Sequence, residues 1–368
     1  MNMIELKQVS RRYGAVQALA PLDFSVKQGE FVTLLGPSGS GKTTLLNLIA
    51  GMVNPSSGRI FVRGVDITDA PPSARGLGMV FQNYALMPHM SVFDNIAFPL
   101  RVRKLPKDEI RRKVKDVLDM VRLPDIGARK PKELSGGQQQ RVSLARCIVY
   151  NPALILLDEP LGALDKKLRE QMQFEIRRLH AELGITMLNV THDQDEALSM
   201  SDRIVLMNQG RVEQIATPDE LYRSPRTVFA ASFIGTANLI AGTVQDNAGP
   251  HAIVSTPLGM LQAAMSPTGI ARGTAVRLLV RPESVRMEPA PEATDLAVDT
   301  AIAEGRRHAG TLEDSITLGS VVRHHVKLYG DTRIVVQQQG NRRPAAHARG
   351  APVLLDWAPE DCQMILQD

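Results

Sequence analysis

One octapeptide constrains this chain more than anything else in it: Gly36-Pro37-Ser38-Gly39-Ser40-Gly41-Lys42-Thr43, which fits the pattern G-x-x-x-x-G-K-[ST]. It follows the apolar run FVTLL at 31–35 and opens the helical run TTLLNLIAGM. Strand, glycine-rich loop and helix in that order form a phosphate cradle. The glycines let the backbone curl until successive N–H groups point inward, and the helix adds its positive end. Gly36, Pro37, Ser38, Gly39, Ser40, Gly41 and Thr44 are the expected cradle, with Lys42 reaching the β- and γ-phosphates and the Thr43 hydroxyl ligating magnesium. A glycine-serine loop that matched by chance would lack the flanking strand and helix.

A cradle of this kind calls for a metal anchor and a base. The run ALILLDEP at 153–160 ends in Asp158 and Glu159, which places both carboxylates at the C-terminal edge of a buried parallel strand, where ligands sit in open α/β sheets. Asp158 is the expected magnesium ligand and Glu159 the expected base toward an attacking water. Strand alternation would aim these two neighbours differently. ITMLNV at 185–190 reads as a further parallel strand, with His192 just beyond it.

Between these strands the period changes to helical. KDEIRRKVKDVLDMV sets Ile110, Val114, Val117, Leu118 and Val121 on one face. Leu164, Leu168, Met172, Ile176, Leu179 and Leu183 mark a second long helix. Strands alternating with helices predict an α/β phosphate-loop fold with a mostly parallel sheet.

Composition shifts near Gly235. From Thr236 onward there are 12 Lys+Arg against 14 Asp+Glu, whereas residues 1–235 hold 31 and 25. Only two of the 15 aromatics, Tyr329 and Trp357, lie beyond that point. Such asymmetry predicts a domain boundary, in keeping with 368 residues and two or three domains. Beyond it, VVRHHVKL and TRIVVQQQ around Tyr-Gly-Asp read as a hairpin, and LIAGTV, AVRLLV and APVLLDW as short strands. The expectation is a small, mainly antiparallel barrel or sandwich. Adjacent strand residues point to opposite faces, so His324-His325 reads as a pair of surface polar residues rather than a metal site.

The overall charge of +4 excludes a polybasic nucleic-acid arm. The N-terminus lacks the pattern of a signal peptide, and no apolar stretch approaches ~18 residues, so a cytosolic chain that does not itself span a membrane is expected. Cys147 and Cys362 match no metal-ligand spacing and predict neither a disulfide nor a zinc site.

Leu134-Ser135-Gly136-Gly137-Gln138-Gln139-Gln140-Arg141 stands between the two acidic and phosphate motifs, ahead of a helical run. Ser-Gly-Gly before a helix is a second anion site, which one chain cannot easily bring to the same γ-phosphate but a head-to-tail dimer can. With LSGGQ in that position, residues 1 to about 235 resemble the ATP-binding cassette (ABC) ATPases. The resemblance implies an ATP-binding domain over 1–235, with a nested helical subdomain at about 88–150, and an accessory β-domain over 236–368. It further implies adenine stacking on Tyr13, magnesium sensing and permease coupling at Gln82, and contact of Ser135, Gly136, Gly137 and Gln138 with ATP held by the partner. Asp165, in LGALD, falls in the dimer-contact loop, and His192 is the switch histidine that joins Lys42 and Glu159 as catalytic residues. ATP and Mg2+ are the implied cofactors.

VRPESV at 280–285 resembles the oligonucleotide/oligosaccharide-fold-like domain appended to importer ATPases of the maltose, ferric-iron, sulfate and polyamine systems. ALDKKLREQMQFEIRRLHAELGIT and NYALMPHMSV look most like the spermidine/putrescine group. The implied assembly is a homodimer on two integral membrane permease subunits, served by an external solute-binding protein, at the cytoplasmic face of the inner membrane. An importer for a sugar, ferric iron or sulfate is the alternative. A soluble ABC ATPase acting on nucleic acid or ribosomes would need a second cassette, a heptad insertion or a basic stripe, none of which the sequence carries, so no nucleic-acid partner is expected. A nucleic-acid-binding C-terminal barrel would need aromatic stacking platforms, for which Tyr329 and Trp357 are thin support. The segment from Gln82 to about Leu100, with Tyr84, Leu86, Met87 and Phe93, reads as an exposed apolar groove for a permease helix.

Overall fold

The computed structural model describes all residues except 163, 248, 266–268, 291–306, 341–347 and 368. The chain divides into two compact units, Met1–Leu221 and Tyr222–Asp368. The division falls inside the short helix Pro218–Arg223, and the composition shift near Gly235 lies beyond it, after a second short helix, Val228–Phe233.

In the first unit the strands are β1 (Asn2–Tyr13), β2 (Val16–Lys27), β3 (Phe31–Leu35), β4 (Ser57–Val62), β5 (Val65–Asp66), β6 (Gly78–Val80), β7 (Leu154–Asp158), β8 (Thr186–Thr191), β9 (Arg203–Asn208) and β10 (Arg211–Ala216). The helices are α1 (Lys42–Ala50), α2 (Val92–Val102), α3 (Lys107–Met120), α4 (Gly136–Ile148), α5 (Lys166–Leu183) and α6 (Gln194–Met200), with α7 (Pro218–Arg223) at the junction. One sheet is antiparallel, in the order β2-β1-β4-β5. The other runs β10-β9-β3-β8-β7-β6 and is parallel except for its edge strand β10. β3 and β8 are buried at every position, as their mainly apolar sequences dictate when both faces are covered, and the polar residues Thr33, Thr186, Asn189 and Thr191 are buried with them.

Two cores hold this unit. One packs the antiparallel sheet, including Ile4, Leu6 and Phe24, against α1 and one side of β3, β7 and β8. The other joins α2, α3, α4 and α5, and it includes Ile110, Val114, Val117, Leu118 and Val121, the predicted face of α3. Leu164 is a correction. It is buried in that core, but α5 begins only at Lys166, after the cap residue Asp165, so Leu164 packs from the preceding loop. Tyr84 is another. It is 7% exposed, because the chain folds it under α4, where Ser143 Oγ and Arg146 Nη2 donate to its carbonyl at 2.9 and 3.0 Å. Leu86, Met87 and Phe93 are half-buried and Phe98 is exposed.

The second unit opens with the short helix α8 (Val228–Phe233), followed by β11 (Asn238–Asp246), β12 (His251–Thr256), β13 (Gly259–Ala264), β14 (Ala275–Val280), β15 (Arg286–Pro289), β16 (Arg307–Leu318), β17 (Val321–Leu328), β18 (Arg333–Gln339), β19 (Pro352–Asp356) and β20 (Cys362–Leu366). They form two antiparallel five-stranded sheets, β13-β12-β11-β14-β20 and β15-β19-β16-β17-β18. Alternate residues of both, such as Val254, Val276, Val326 and Val353, meet in one core. β17 and β18 are the predicted hairpin. His324 and His325 do alternate in their environments, yet His324 is a correction: it is 2% exposed, on the inward side of β17, where Ser315 Oγ lies 2.8 Å from its Nδ1. Arg281, in VRPESV, is buried and gathers the carbonyls of Tyr222, Ala231, Ile234 and Thr236. Cys147 and Cys362 are buried free thiols, pushed up to about 11 and about 12 by burial.

Candidate active site

The phosphate loop leaves β3 at Leu35 and enters α1 at Lys42. Two glycines are required by space. A Cβ on Gly36 would lie 2.2 Å from Met207 O, and one on Gly41, at φ +98°, 2.8 Å from Ala18 O. Ser40 N–H bonds to Pro37 O, whereas the N–H groups of Gly39, Gly41, Lys42, Thr43 and Thr44 find no acceptor among the described residues. These are the donors that a helix start leaves unsatisfied, aligned with its positive end. They border a cavity of about 520 Å³ that Val16, Gln17 and Ala18 of β2 close on one side and Gln209 and Gly210 on another. Lys42 is 5% exposed, and its ammonium donates to Gly36 O at 2.8 Å and Pro37 O at 2.9 Å. Burial lowers its pKa, and the nearby Glu159 works against that shift.

β8, β7 and β6 are neighbours in the sheet, so residues just past their C-terminal ends lie side by side. His192 follows β8, Glu159 follows β7 and Gln82 follows β6. Glu159 Oε1 lies 3.2 Å from His192 Nδ1, and Gln82 Nε2 donates to Glu159 Oε2 at 3.4 Å. Strand alternation does not aim Glu159. Its backbone has left-handed φ, +46°, with its N–H fixed to Val190 O at 3.0 Å, so a turn rather than a pleat sets the carboxylate direction. Asp158 remains the last residue of β7 and is half-buried. Burial, then the Glu159 charge, raises its pKa.

Ser135 is the cap of α4: Gln138 N–H donates to Ser135 Oγ, and Ser135 N–H to Gln138 Oε1. This reciprocal pair leaves the N–H groups of Gly136 and Gly137 without an acceptor among the described residues. Gly137 packs closely on α5: a Cβ there would lie 2.8 Å from Leu168 Cδ1, so the leucine side chain would have to shift. Among the described residues, no hydrogen bond joins Ser135–Gln138 to the phosphate loop or to Glu159 within this chain. Asp165 caps α5 by accepting from Leu168 N–H at 2.9 Å, while Ala163 of the same loop lies outside the described residues. Tyr13 is 45% exposed with the Arg11 guanidinium 4.4 Å from its ring centre, and its strand partner Val16 lines the cavity.

Several participants carry no sequence signal. Gln17, Ala18, Gln209 and Gly210 reach the cavity through tertiary folding alone. Beside His192, Asn189 Nδ2 and Thr191 Oγ1 donate to the buried carboxyl of Glu196 at 2.9 and 3.0 Å. Arg169 binds Asp193 and Leu164 O, both at 3.0 Å.

A phosphate cradle, an acidic strand end and a glycine-rich capped helix on a mostly parallel sheet define an ATP-hydrolysing cassette. The sequence pattern of the ABC transporter family matches residues 19–162, and that of the TOBE domain residues 278–365. The spermidine/putrescine import ATP-binding protein PotA of Thermobifida fusca (strain YX) is 45% identical, over 97% of this chain and 92% of its own length. PotA of Rubrobacter xylanophilus is 44% identical, over 98% of this chain and 93% of its own. The chain therefore belongs to the ABC transporter family and is an ATP-hydrolysing subunit of it. Among solved structures, a bacterial ABC transporter cassette in dimeric form is 35% identical, with a TM-score of 0.53 over 59% of this chain and 99% of that one. The same cassette in a dimeric post-hydrolysis state is bound to ADP and Pi, at 34% identity and a TM-score of 0.52, with the same coverage.

Proposed function

We propose that this chain energises a membrane importer for polyamines, with spermidine or putrescine as the solute. The observation that carries the chemical part is the convergence of Gln82, Glu159 and His192 at three adjacent strand ends beside the phosphate loop. Polyamine import itself rests on the names of the relatives, which match nearly the whole chain.

In this reading Tyr13 stacks on adenine, residues 36–44 cradle the phosphates, and Lys42 exchanges loop carbonyls for phosphate oxygens. The Thr43 hydroxyl, the Asp158 carboxylate and the Gln82 amide are hard oxygen donors of the kind magnesium takes, and a cation would offset the burial that raises Asp158. Bound with ATP, Mg2+ neutralises charge on the β- and γ-phosphates. Glu159 accepts a proton from the attacking water as its oxygen bonds to the γ-phosphorus and the bond to the bridging oxygen breaks. His192, held at Glu159, contacts the γ-phosphate.

The unengaged Gly136 and Gly137 N–H groups support a head-to-tail homodimer, in which Ser135–Gln138 meet ATP held by the partner and Asp165 lies at the shared interface. The dimer binds two membrane permease subunits at the cytoplasmic face of the inner membrane through the Leu86–Met87 segment, and an external solute-binding protein delivers the solute. Among the described residues no helix is long and apolar enough to cross a membrane, which suits a peripheral subunit. ATPase activity of the reconstituted complex across a panel of solutes tests this. Stimulation by spermidine or putrescine with the cognate binding protein is expected. Stimulation by maltose, ferric iron or sulfate alone would overturn the solute.

A further inference from the structure

Two loops meet at the site, and they are tied to each other at more than one point. The first runs from Glu159 to Asp165, and the second from Thr191 to Asp193. At their near ends Glu159 N–H bonds to Val190 O and Glu159 Oε1 sits against His192 Nδ1. At their far ends the tie comes from outside both loops. Arg169, one turn into α5, places Nη2 on Leu164 O and Nη1 on Asp193 Oδ2, each at 3.0 Å. Its helix is itself anchored to the first loop, because Asp165 caps α5 and Arg169 N–H bonds to Asp165 O.

Asp193 is similarly committed. It caps α6 by accepting from Glu196 N–H at 3.1 Å, and its own N–H bonds to Thr191 Oγ1. The Thr191 hydroxyl in turn donates to the buried Glu196 carboxyl. The backbone on both sides of His192 is thus fixed to α6, and Arg169 ties that assembly to the first loop at its far end. The planar guanidinium suits this role, because its fork addresses a carboxylate and a carbonyl at once in fixed geometry. Both groups of the ion pair are about a quarter to a third exposed, so the pair adds little to overall stability.

We propose that Arg169 is a positioning residue that couples the 159–165 loop to His192, so that contact of that loop with a partner subunit sets the histidine for hydrolysis. This rests on the reading of Glu159, His192 and the dimer given above. A contact at Asp165 moves Leu164 with it. Arg169 carries that displacement to Asp193, the residue next to His192. Each ATP site would then respond to closure of the interface as well as to its own nucleotide.

The test uses the full chain in its reconstituted complex. Arg169→Met keeps the aliphatic stem and removes the fork. It should lower kcat about tenfold while the KM for ATP stays within about twofold, and bring the Hill coefficient for ATP near 1. Arg169→Lys keeps the charge beside Asp193 but cannot reach Leu164 O in the same geometry, so it should recover little of the kcat. Asp193→Asn retains a capping oxygen for α6 and removes the ionic partner. Combined with Arg169→Met it should cost no more than either change alone. Parental kcat and Hill coefficient in Arg169→Met, full recovery in Arg169→Lys, or additive losses in the double variant would each overturn the proposal. Glu159→Gln separates the two levels. If it hydrolyses ATP at the parental rate, the site reading fails; if it is inactive while Arg169→Met is fully active, only the coupling fails.

Discussion

Glu196 should make the first unit lose stability as pH rises from about 4.5 to about 7. Its carboxyl is 2% exposed and accepts from Asn189 and Thr191. Burial is the largest influence on its pKa and the Asp193 charge adds to it. Together they outweigh these two hydrogen bonds and Arg169, raising the pKa from 4.5 to about 7. The native protein therefore holds a proton that the unfolded chain releases near 4.5. Between those values the native state binds more protons, so stability is full below about 4.5 and declines until the native carboxyl has ionised. A tenfold change in proton affinity is worth about 1.4 kcal/mol, so the whole displacement amounts to about 3 kcal/mol. Glu196→Gln does not titrate. It keeps one oxygen for Asn189 and turns a donor toward the Thr191 hydroxyl. Relative to the parent, it should be about 2.5 kcal/mol more favourable at pH 8 than at pH 5, because part of the loss has occurred by pH 5 and the other titrating groups cancel in that difference. Urea unfolding followed by far-UV circular dichroism at both pH values measures it. The sole tryptophan, Trp357, belongs to the second unit and provides an internal control by fluorescence. Identical pH dependence in parent and variant would mean that Glu196 is already ionised in the native protein, which would refute the reasoning.

Glu159→Gln should still bind Mg-ATP and accumulate as an ATP-loaded dimer on size exclusion, with phosphate release lowered ~10²-fold or more. Asp158→Asn should instead weaken magnesium-dependent nucleotide binding, read by titration with and without the ion. Ser135→Arg removes the cap of α4 and sets bulk and charge beside Gly136, so steady-state hydrolysis should fall steeply while ATP binding to the isolated chain persists. Met87→Asp should leave the ATPase activity of the isolated subunit near its parental value and abolish solute uptake in proteoliposomes. Uptake at the parental rate would place the permease contact elsewhere.

The elements that carry the site were legible where a local pattern sufficed. Near-continuous apolar runs marked β3, β7 and β8, and the 3.6-residue period marked the buried face of α3. Ser135 read as a helix cap because its pairing with Gln138 lies within four residues. What escaped depends on non-local placement. The meeting of Gln82, Glu159 and His192 follows from strand order, which no window of sequence contains. Leu164 continues the apolar period of α5 although the cap at Asp165 ends the helix before reaching it. Tyr84 looks like its exposed neighbours until α4 covers it, and His324 looks polar until its side of β17 turns inward. The direction of Glu159 hangs on one positive φ, and Arg169 belongs to no motif.

The position of β3 in its sheet also sets an order of events during synthesis. The strand that delivers the phosphate loop lies between β8 and β9, so its neighbours begin about 150 residues later in the chain. At a translation rate of about 5–20 residues per second, roughly 10–30 s separate the emergence of Leu35 from that of Thr191. Throughout that interval FVTLL, an apolar segment with strong strand preference, has no native edge to pair with. The nascent cassette thus depends on whatever shields this segment on the ribosome, and nucleotide can begin to stabilise the fold only after β9 has been made.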